Sequence, residues 1–207
     1  MASLIKQKTI KKEVSFKGIA LHSGCLTKIK ILPADCNTGV IFIRKDKKKN
    51  NIIPANWSNV TNTKLCTKIS NKSGLTVSTI EHLMSAISAL HIDNLKIEIS
   101  GQEVPILDGS SKIFFEKISN VGIKKQEKNK KFIKILKKIE VKNKLSYASI
   151  EPSKNNFNIS YKIDYEHPLI KKEEYKTTLN HNNYKNNIAP ARTFGFINEY
   201  KKLKKNG

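Results

Sequence analysis

The sequence predicts an α+β protein of two similar domains, the second of them incomplete. Up to about residue 70, and again from residue 132, β-branched and apolar residues alternate in short runs that are typical of strands. Between these regions, two segments take the 3.6-residue period of amphipathic helices. A charged segment without apolar residues, 124–131, separates the two halves. We therefore expect a first α+β domain over 1–123, a linker over 124–131 and a partial second domain over 132–207.

The strands of the first domain are expected in five runs bounded by turn residues. In chain order these are KEVSFKGIAL (12–21), LTKIKILPA (26–34), GVIFIRK (39–45), KLCTKIS (64–70) and NLKIEIS (94–100). Four more runs follow the charged segment: KFIKILKKIEV (131–141), SYASIEP (146–152), FNISYKIDY (157–165) and EYKTTLN (174–180). The second domain thus has its strands but lacks a helix pair.

Two helices interrupt the strands of the first domain. The first is expected from Ser78 to Leu90, because apolar residues recur at helical spacing along one face. These residues are Ile80, Leu83, Met84, Ile87 and Leu90. The second helix is SKIFFEKISNVG (111–122), which Gly122 ends. Asp108, shortly before it, is a candidate cap of this helix.

The chain is strongly basic, with 39 Lys+Arg against 17 Asp+Glu and a formal net charge of +22. Arg44 and Arg192 are the only arginines, although specific nucleic-acid readers lean on the planar guanidinium. Lysine runs interleaved with Asn and Ile favour a solvated basic surface that steers anionic ligands, and no nucleic-acid partner. A basic RNA- or ribosome-associated module is the alternative that this charge leaves open.

The three cysteines, Cys25, Cys36 and Cys66, have no CxxC spacing. An odd count without that spacing argues against a disulfide framework and against zinc held by cysteine. No apolar run reaches the roughly 20 residues of a membrane span, and the first residues lack a signal-peptide apolar region. We expect a cytoplasmic protein.

The segment STIEHLMSA (78–86) has two interpretations. Ser78 followed by Glu81 fits a capping box, in which Glu81 has only a structural role. The second interpretation rests on the face that carries Glu81 and His82. That face continues with small residues and has no lysine from Ser78 to Leu90, which indicates that it is covered.

Under such cover, a carboxylate next to an imidazole is chemically useful. Neutral imidazole binds zinc, and an adjacent glutamate can take a proton from metal-bound water. The pair alone is a weak signal, and it fits neither the HExxH nor the HxxEH pattern.

Six segments in order give the pair an identity: GIALHSG (18–24), TKLCT (63–67), STIEHLMSA, EVPILDGSS (103–111), IDYEHP (163–168) and ARTFGF (191–196). Together they resemble the UDP-3-O-acyl-N-acetylglucosamine deacetylases, zinc amidases of lipid A biosynthesis. The resemblance implies two similar domains, each a layer of helices on a sheet, with the active site between them. It also implies Zn²⁺ as cofactor and an acylated UDP-sugar as substrate.

The resemblance assigns roles to particular residues. It implies that His82 is a zinc ligand, that Glu81 is the general base and that the Thr193 hydroxyl helps bind the developing oxyanion. Residues implied to line the substrate site are Leu65, Cys66 and Phe194, and Asp164 and Tyr165 are implied to contact the uridine. For Cys66 a small buried hydrophobe is an equal alternative. His22 could approach the site or orient a turn.

Members of this family continue past ARTFGF to a segment that shapes the acyl-chain passage, a His-Lys-x-x-Asp motif with the other two zinc ligands, and a histidine acting as general acid. This sequence holds none of them. We therefore expect a C-terminally truncated, inactive fragment of such an enzyme, with a catalytically dead paralogue as the alternative. The acyl-chain preference does not follow from the sequence. We expect a monomer, with a peripheral membrane contact left open.

Overall fold

The computed structural model of the chain describes residues 5–197 and 201, except Asn155. These residues fall into two compact units, one within 1–130 and 185–207, the other over 131–184. The described part contains no helix long and apolar enough to span a membrane.

The described residues of the first unit form ten strands and two α-helices. In chain order they are β1 (Lys6–Ile10), β2 (Val14–Ile19), β3 (Leu26–Pro33), β4 (Val40–Arg44), β5 (Ile52–Pro54), β6 (Val60–Asn62), β7 (Lys68–Ser70), β8 (Thr76–Val77), α1 (Glu81–Ala89), β9 (Leu95–Ile99), α2 (Lys112–Asn120) and β10 (Ile123–Asn129). Five strands form one sheet in the order β2-β3-β9-β4-β5, in which only the β4–β9 pair is parallel. A three-stranded sheet, β6-β7-β8, and a two-stranded one, β1-β10, accompany it.

The period-2 pattern of β3 explains how the five-stranded sheet meets the core. Thr27, Ile29 and Ile31 are buried, whereas Lys28 is exposed and Lys30 is partly so. Successive side chains of a strand point to opposite faces, so one face of β3 joins the core and the other faces water. Because the described residues form both sheets and α-helices, the α+β class predicted for the chain is confirmed.

The two helices pack against each other beside this sheet. Of the apolar face predicted for α1, Ile80, Leu83, Ile87 and Leu90 are buried, and Met84 is partly exposed. On the next element, the Phe114 ring of α2 lies 4.9 Å from the ring of Phe16 in β2, measured between ring centroids. This contact ties α2 to the sheet.

The segment expected to be a linker, 124–131, lies mostly in a strand. β10 pairs antiparallel with β1, with Ile10 opposite Ile123. Gln126 is held by two hydrogen bonds: it donates to Ala34 O at 2.9 Å and accepts from the Asn94 side chain at 2.7 Å. These polar contacts compensate for the lack of apolar residues, so a strand forms where the composition predicts none.

The second unit consists mainly of two hairpins, β11 (Ile139–Lys142) with β12 (Tyr147–Ile150) and β13 (Asn158–Asp164) with β14 (Lys172–Thr178). A short helical turn, α3 (His181–Asn183), follows. The four predicted strand runs are thus present, although only the end of the first forms a strand. The chain from 185 groups with the first unit, which differs from the expected domain over 132–207.

Candidate active site

Glu81 and His82 occupy the first two positions of α1, and both are half-buried. The capping box that Ser78 and Glu81 could have formed is not present. The N-cap is Ile80, without a side-chain hydrogen bond, and the Ser78 hydroxyl instead donates to Gln102 O at 3.3 Å. Because the helix begins three residues later than expected, Glu81 is not used as a cap.

The Glu81 carboxylate instead contacts the TKLCT segment. Its Oε2 accepts a hydrogen bond from the Thr67 backbone N–H at 3.1 Å. The preceding residues are Leu65, which is 73% exposed with a φ of 64°, and Cys66, which is half-buried. The Leu65 side chain therefore does not pack in the core, and the loop, whose backbone is left-handed at this residue, exposes it to solvent.

Glu103, a residue that the sequence analysis did not identify, joins two further segments to this arrangement. It is 2% exposed. Its Oε1 accepts from the His22 N–H and from the Thr79 hydroxyl, both at 2.9 Å, and its Oε2 accepts from the Ser23 N–H at 2.9 Å. Glu103 therefore binds the GIALHSG turn and the residue that comes two positions before Glu81.

These bonds keep the Glu103 carboxyl ionised. Burial by itself would raise its pKa, because water no longer solvates the charge. The N–H of His22, the Thr79 hydroxyl and Ser23 outweigh that cost and hold the pKa of Glu103 below its ordinary value. No sequence motif signals this role, since the donors lie 24 to 81 positions away.

The GIALHSG and EVPILDGSS segments also meet through their backbones. Ala20 and Pro105 form an isolated antiparallel bridge, and Ile106 donates to Ile19 O at 3.0 Å. A Cβ on Gly18 would come within 3.1 Å of Leu107 Cδ2 and 3.2 Å of Pro105 Cβ. Glycine at position 18 allows this close approach.

The ARTFGF segment lies against the same loop. Thr193 donates its backbone N–H to Gly109 O at 2.9 Å, and Ser111 donates to Ala189 O at 3.1 Å. The Thr193 side chain is exposed, as is 57% of Phe194, whose ring packs edge-on against Phe196 at 5.9 Å between centroids. The backbone is thus fixed while the two side chains implied in catalysis and substrate contact remain accessible.

Asp164 and Tyr165 lie in the other unit, at and just after the end of β13. The Asp164 carboxylate lies 3.3 Å from Lys172 Nζ across the hairpin, with both side chains largely exposed. Tyr165 donates its backbone N–H to Lys171 O at 3.0 Å. The structure therefore brings five of the six segments together within the first unit and carries the sixth on the second.

The described residues include no group of three or more His, Cys, Asp or Glu side chains that could hold a metal ion. His82 is a half-buried imidazole next to Glu81, so it could contribute one ligand. Two grooves of about 570 and 710 Å³ lie elsewhere in the first unit and contain none of the candidate site residues. Five lysines line the first of them, as expected of a solvated basic surface.

Comparison with known proteins finds similar sequences over nearly the whole chain. The sequence model of the family described as UDP-3-O-acyl N-acetylglycosamine deacetylase matches residues 7–207. Proteins named UDP-3-O-acyl-N-acetylglucosamine deacetylase are similar to the chain: one from Wigglesworthia glossinidia brevipalpis is 42% identical over 98% of this chain and 69% of its own length. Another, from Syntrophus aciditrophicus, is 39% identical over 97% and 63%. The chain thus spans about two thirds of the length of these relatives.

Proposed function

This chain belongs to the UDP-3-O-acyl-N-acetylglycosamine deacetylase family, and from that premise we propose that it carries the base side of a site that hydrolyses the N-acetyl group of UDP-3-O-acyl-N-acetylglucosamine. The products are acetate and a free glucosamine amine, in the committed step of lipid A biosynthesis. The observation that carries the proposal is the Glu81 carboxylate, which lies beside His82 and is oriented by Thr67 N–H at 3.1 Å.

Glu81 is the general base of this proposal. A base must lie where it can take a proton from the attacking water, and its direction must be fixed. The bond from Thr67 engages Oε2, and we assign the proton to the other oxygen, Oε1. The half-buried position of Glu81 supports this role, because a fully solvated carboxylate would be free to turn away.

Thr193 stabilises the oxyanion that forms when water attacks the acetyl carbonyl. Its backbone is fixed by Gly109 O, whereas its hydroxyl-bearing side chain is exposed and can donate to a ligand. A donor aimed in advance at developing charge lowers the barrier without reorganisation. Leu65, Cys66 and Phe194 contact the substrate, a role that the exposure of Leu65 and Phe194 supports.

Asp164 and Tyr165 bind the uridine. An aspartate can accept hydrogen bonds from the uracil or ribose, and an aromatic ring can stack on the base. Both side chains are exposed, which supports a role in ligand contact. The Lys172 ammonium group lies 3.3 Å from the Asp164 carboxylate and balances its charge.

Zinc dependence is part of the proposal, with His82 as a ligand. A catalytic zinc takes three protein ligands and keeps an open position for water. The residues that the structure describes do not make up such a set, so they do not fit a complete zinc site. We therefore assign no step to the metal and give His82 a ligand role only.

The remaining parts of the proposal concern the setting of the protein. We place it in the cytoplasm, as a monomer, with any membrane contact peripheral. Cys25, Cys36 and Cys66 are all free thiols, which suits a reducing compartment. RNA binding is not part of the proposal, because the deacetylase family model matches residues 7–207 of the chain.

The proposal is tested with substrate labelled in the acetyl group. Because the described residues of this chain do not make up a complete zinc site, release of labelled acetate is measured in a protein that joins residues 1–207 to the part of the Wigglesworthia relative that this chain does not span. Release by this joined protein should fall at least about 100-fold in Glu81→Gln, because the amide cannot take the proton. The matched control is Glu98→Gln, an amide substitution at a glutamate of β9 that pairs with Lys45. It should leave the release unchanged.

Binding of UDP, followed by calorimetry, gives a readout that needs no turnover. Wild-type protein should bind UDP, and Asp164→Asn should bind it more weakly. Equal acetate release by Glu81→Gln and wild type would rule out the base assignment. A joined protein that neither binds UDP nor releases acetate would contradict the proposed function, and a joined protein that binds UDP without releasing acetate would identify the catalytically dead alternative.

A further inference from the structure

Glu103 is a buried carboxylate that the proposed reaction does not use. Its described hydrogen bonds come from neutral donors on two separate segments, at His22, Ser23 and Thr79. A buried charge is costly unless it is well satisfied, so its retention here calls for a specific role.

The Thr79 contact is the informative one. Thr79 has a φ of 57°, a left-handed conformation that β-branched residues disfavour. Backbone bonds secure the residue before it: Ser78 N–H donates to Gln102 O at 3.0 Å, and Val104 N–H donates to Ser78 O at 3.1 Å. The Glu103 side chain then fixes the Thr79 hydroxyl itself, so the strained turn is held from both backbone and side chain.

This turn decides where α1 begins and which way it points. After Thr79 the chain passes through Ile80 in a helical conformation, and Glu81 opens the helix. The direction of this first turn sets the position of the Glu81 carboxylate, which reaches Thr67 N–H. If the Thr79 turn relaxed, the helix could extend toward Ser78 and rotate Glu81 away, as the capping-box pattern of the sequence would favour.

We infer that Glu103 is a positioning residue: by holding the left-handed turn at Thr79, it keeps Glu81 aimed at Thr67 and so keeps the catalytic pair in place. Glu103 acts on Glu81 only through Thr79 and the start of α1. The same carboxylate fixes the His22–Ser23 turn, which couples the GIALHSG segment to the site.

Amide hydrogen exchange of the ¹⁵N-labelled chain tests this inference through the Thr67 N–H, which does not touch Glu103. In Glu103→Gln, an NH₂ group replaces one acceptor oxygen and faces a donor. We expect the Thr67 amide to exchange at least about 10-fold faster, while amides of β3 and β9 keep their wild-type rates. Glu98→Gln is the matched control and should leave Thr67 unchanged.

Thr79 provides a second, milder pair of variants. Thr79→Val keeps the branched shape but removes the hydroxyl, so it should speed exchange at Thr67 while His22 and Ser23 stay protected by Glu103. Thr79→Ser restores a hydroxyl and should restore slow exchange at Thr67. If Glu103→Gln does not fold, this pair decides the question.

A merely structural role for Glu103 would give a different pattern. Exchange would then rise at His22 and Ser23, or throughout the chain, while Thr67 would change no more than β3 and β9. That result, or wild-type exchange at Thr67 in Thr79→Val, would overturn the inference.

The inference rests on the proposed function only where it takes Glu81 as the base. Acetate release by the joined protein separates the two: Glu103→Gln should lower kcat more than it raises KM, and Thr79→Ser should keep most of the kcat that Thr79→Val loses. If Thr67 responds to Glu103→Gln but acetate release does not depend on Glu81, the proposed base fails and the positioning role stands.

Discussion

The two units of the chain use similar strand sequences with opposite results. In the first unit, Phe42, Ile31 and Ile97 are inaccessible to solvent, and the same sheet is tied to α2 by the contact between Phe16 and Phe114. In the second unit, nearly all residues of the four hairpin strands are exposed. Even Val141, an apolar residue of an alternating strand, is 67% exposed.

The difference shows that alternating apolar residues specify a strand but not a core. A two-stranded hairpin is marginally stable in water unless another layer covers it. The first unit has such a layer, and the contacts of Glu81, Glu103 and Thr193 described above all lie within it. Stability and the candidate base are therefore expected to depend on the same unit.

The largest difference between the units should appear when a phenylalanine is truncated. Phe42→Ala removes a fully buried ring from β4 of the five-stranded sheet and should lower the free energy of unfolding by about 3–5 kcal/mol. Phe157→Ala, which removes a ring that is 62% exposed in the second unit, should cost less than about 1 kcal/mol. Urea unfolding monitored by circular dichroism measures both, and equal losses would contradict the comparison.

Breaking an ion pair should also destabilise the protein more in the first unit than in the second, by a smaller difference than the phenylalanine truncations. In the first unit, Arg44 donates to both carboxylate oxygens of Asp46 and to Thr76 O, and its guanidinium holds the pKa of Asp46 below its ordinary value. Arg44→Met leaves these acceptors without their donor and should cost about 2–3 kcal/mol. Lys172→Met breaks the exposed pair with Asp164 and should change the stability by at most about 0.5 kcal/mol.

Urea midpoints of these two variants give the measurement. A loss in Lys172→Met as large as that in Arg44→Met would show that the hairpin pair is as important to folding as the buried one.

The smallest expected effect is the loss of stability of the first unit in acid. The direction of this change follows from the ionisation of Glu103. Because the pKa of Glu103 is lower in the folded chain than its ordinary value of 4.5, the ionised carboxylate stabilises the fold above about pH 4.5. That stabilisation is lost as the pH falls through the folded pKa. Glu103→Gln should therefore cost about 1–2 kcal/mol at pH 7 and less as the pH drops below 4.5.

Unfolding curves of wild type and Glu103→Gln between pH 3 and pH 7 test this. A difference between the two proteins that stays constant, or grows, toward low pH would show that the Glu103 charge does not stabilise the first unit.

Much of the first unit could be predicted from local patterns. The runs that became β2, β3, β4 and β9 alternate clearly, and the buried face of α1 follows helical spacing. The pairing of β1 with β10 could not be predicted, because its residues lie more than 110 positions apart and β10 is almost entirely polar. Its stability comes from hydrogen bonds such as those of Gln126, which no periodicity reveals.

The sequence predicts the candidate site residues that are adjacent in a motif. It does not predict residues that act through hydrogen bonds to segments far along the chain. Glu81 and His82 stand out in the sequence as an adjacent pair under a lysine-free face. Glu103 does not, because its role depends on His22, Ser23 and Thr79 in other segments. The left-handed φ of Thr79 could not be predicted from the residue type either, since threonine ordinarily avoids this conformation.

The most direct test of the central claim, that the first unit holds the Glu81 carboxylate with its own contacts, is native-state amide exchange at Thr67 across low urea concentrations. We expect amides of β11–β14 to exchange freely while Thr67 stays protected until β3 and β9 open. Loss of Thr67 protection in step with β11–β14 would contradict the claim, because the position of Glu81 would then depend on the second unit.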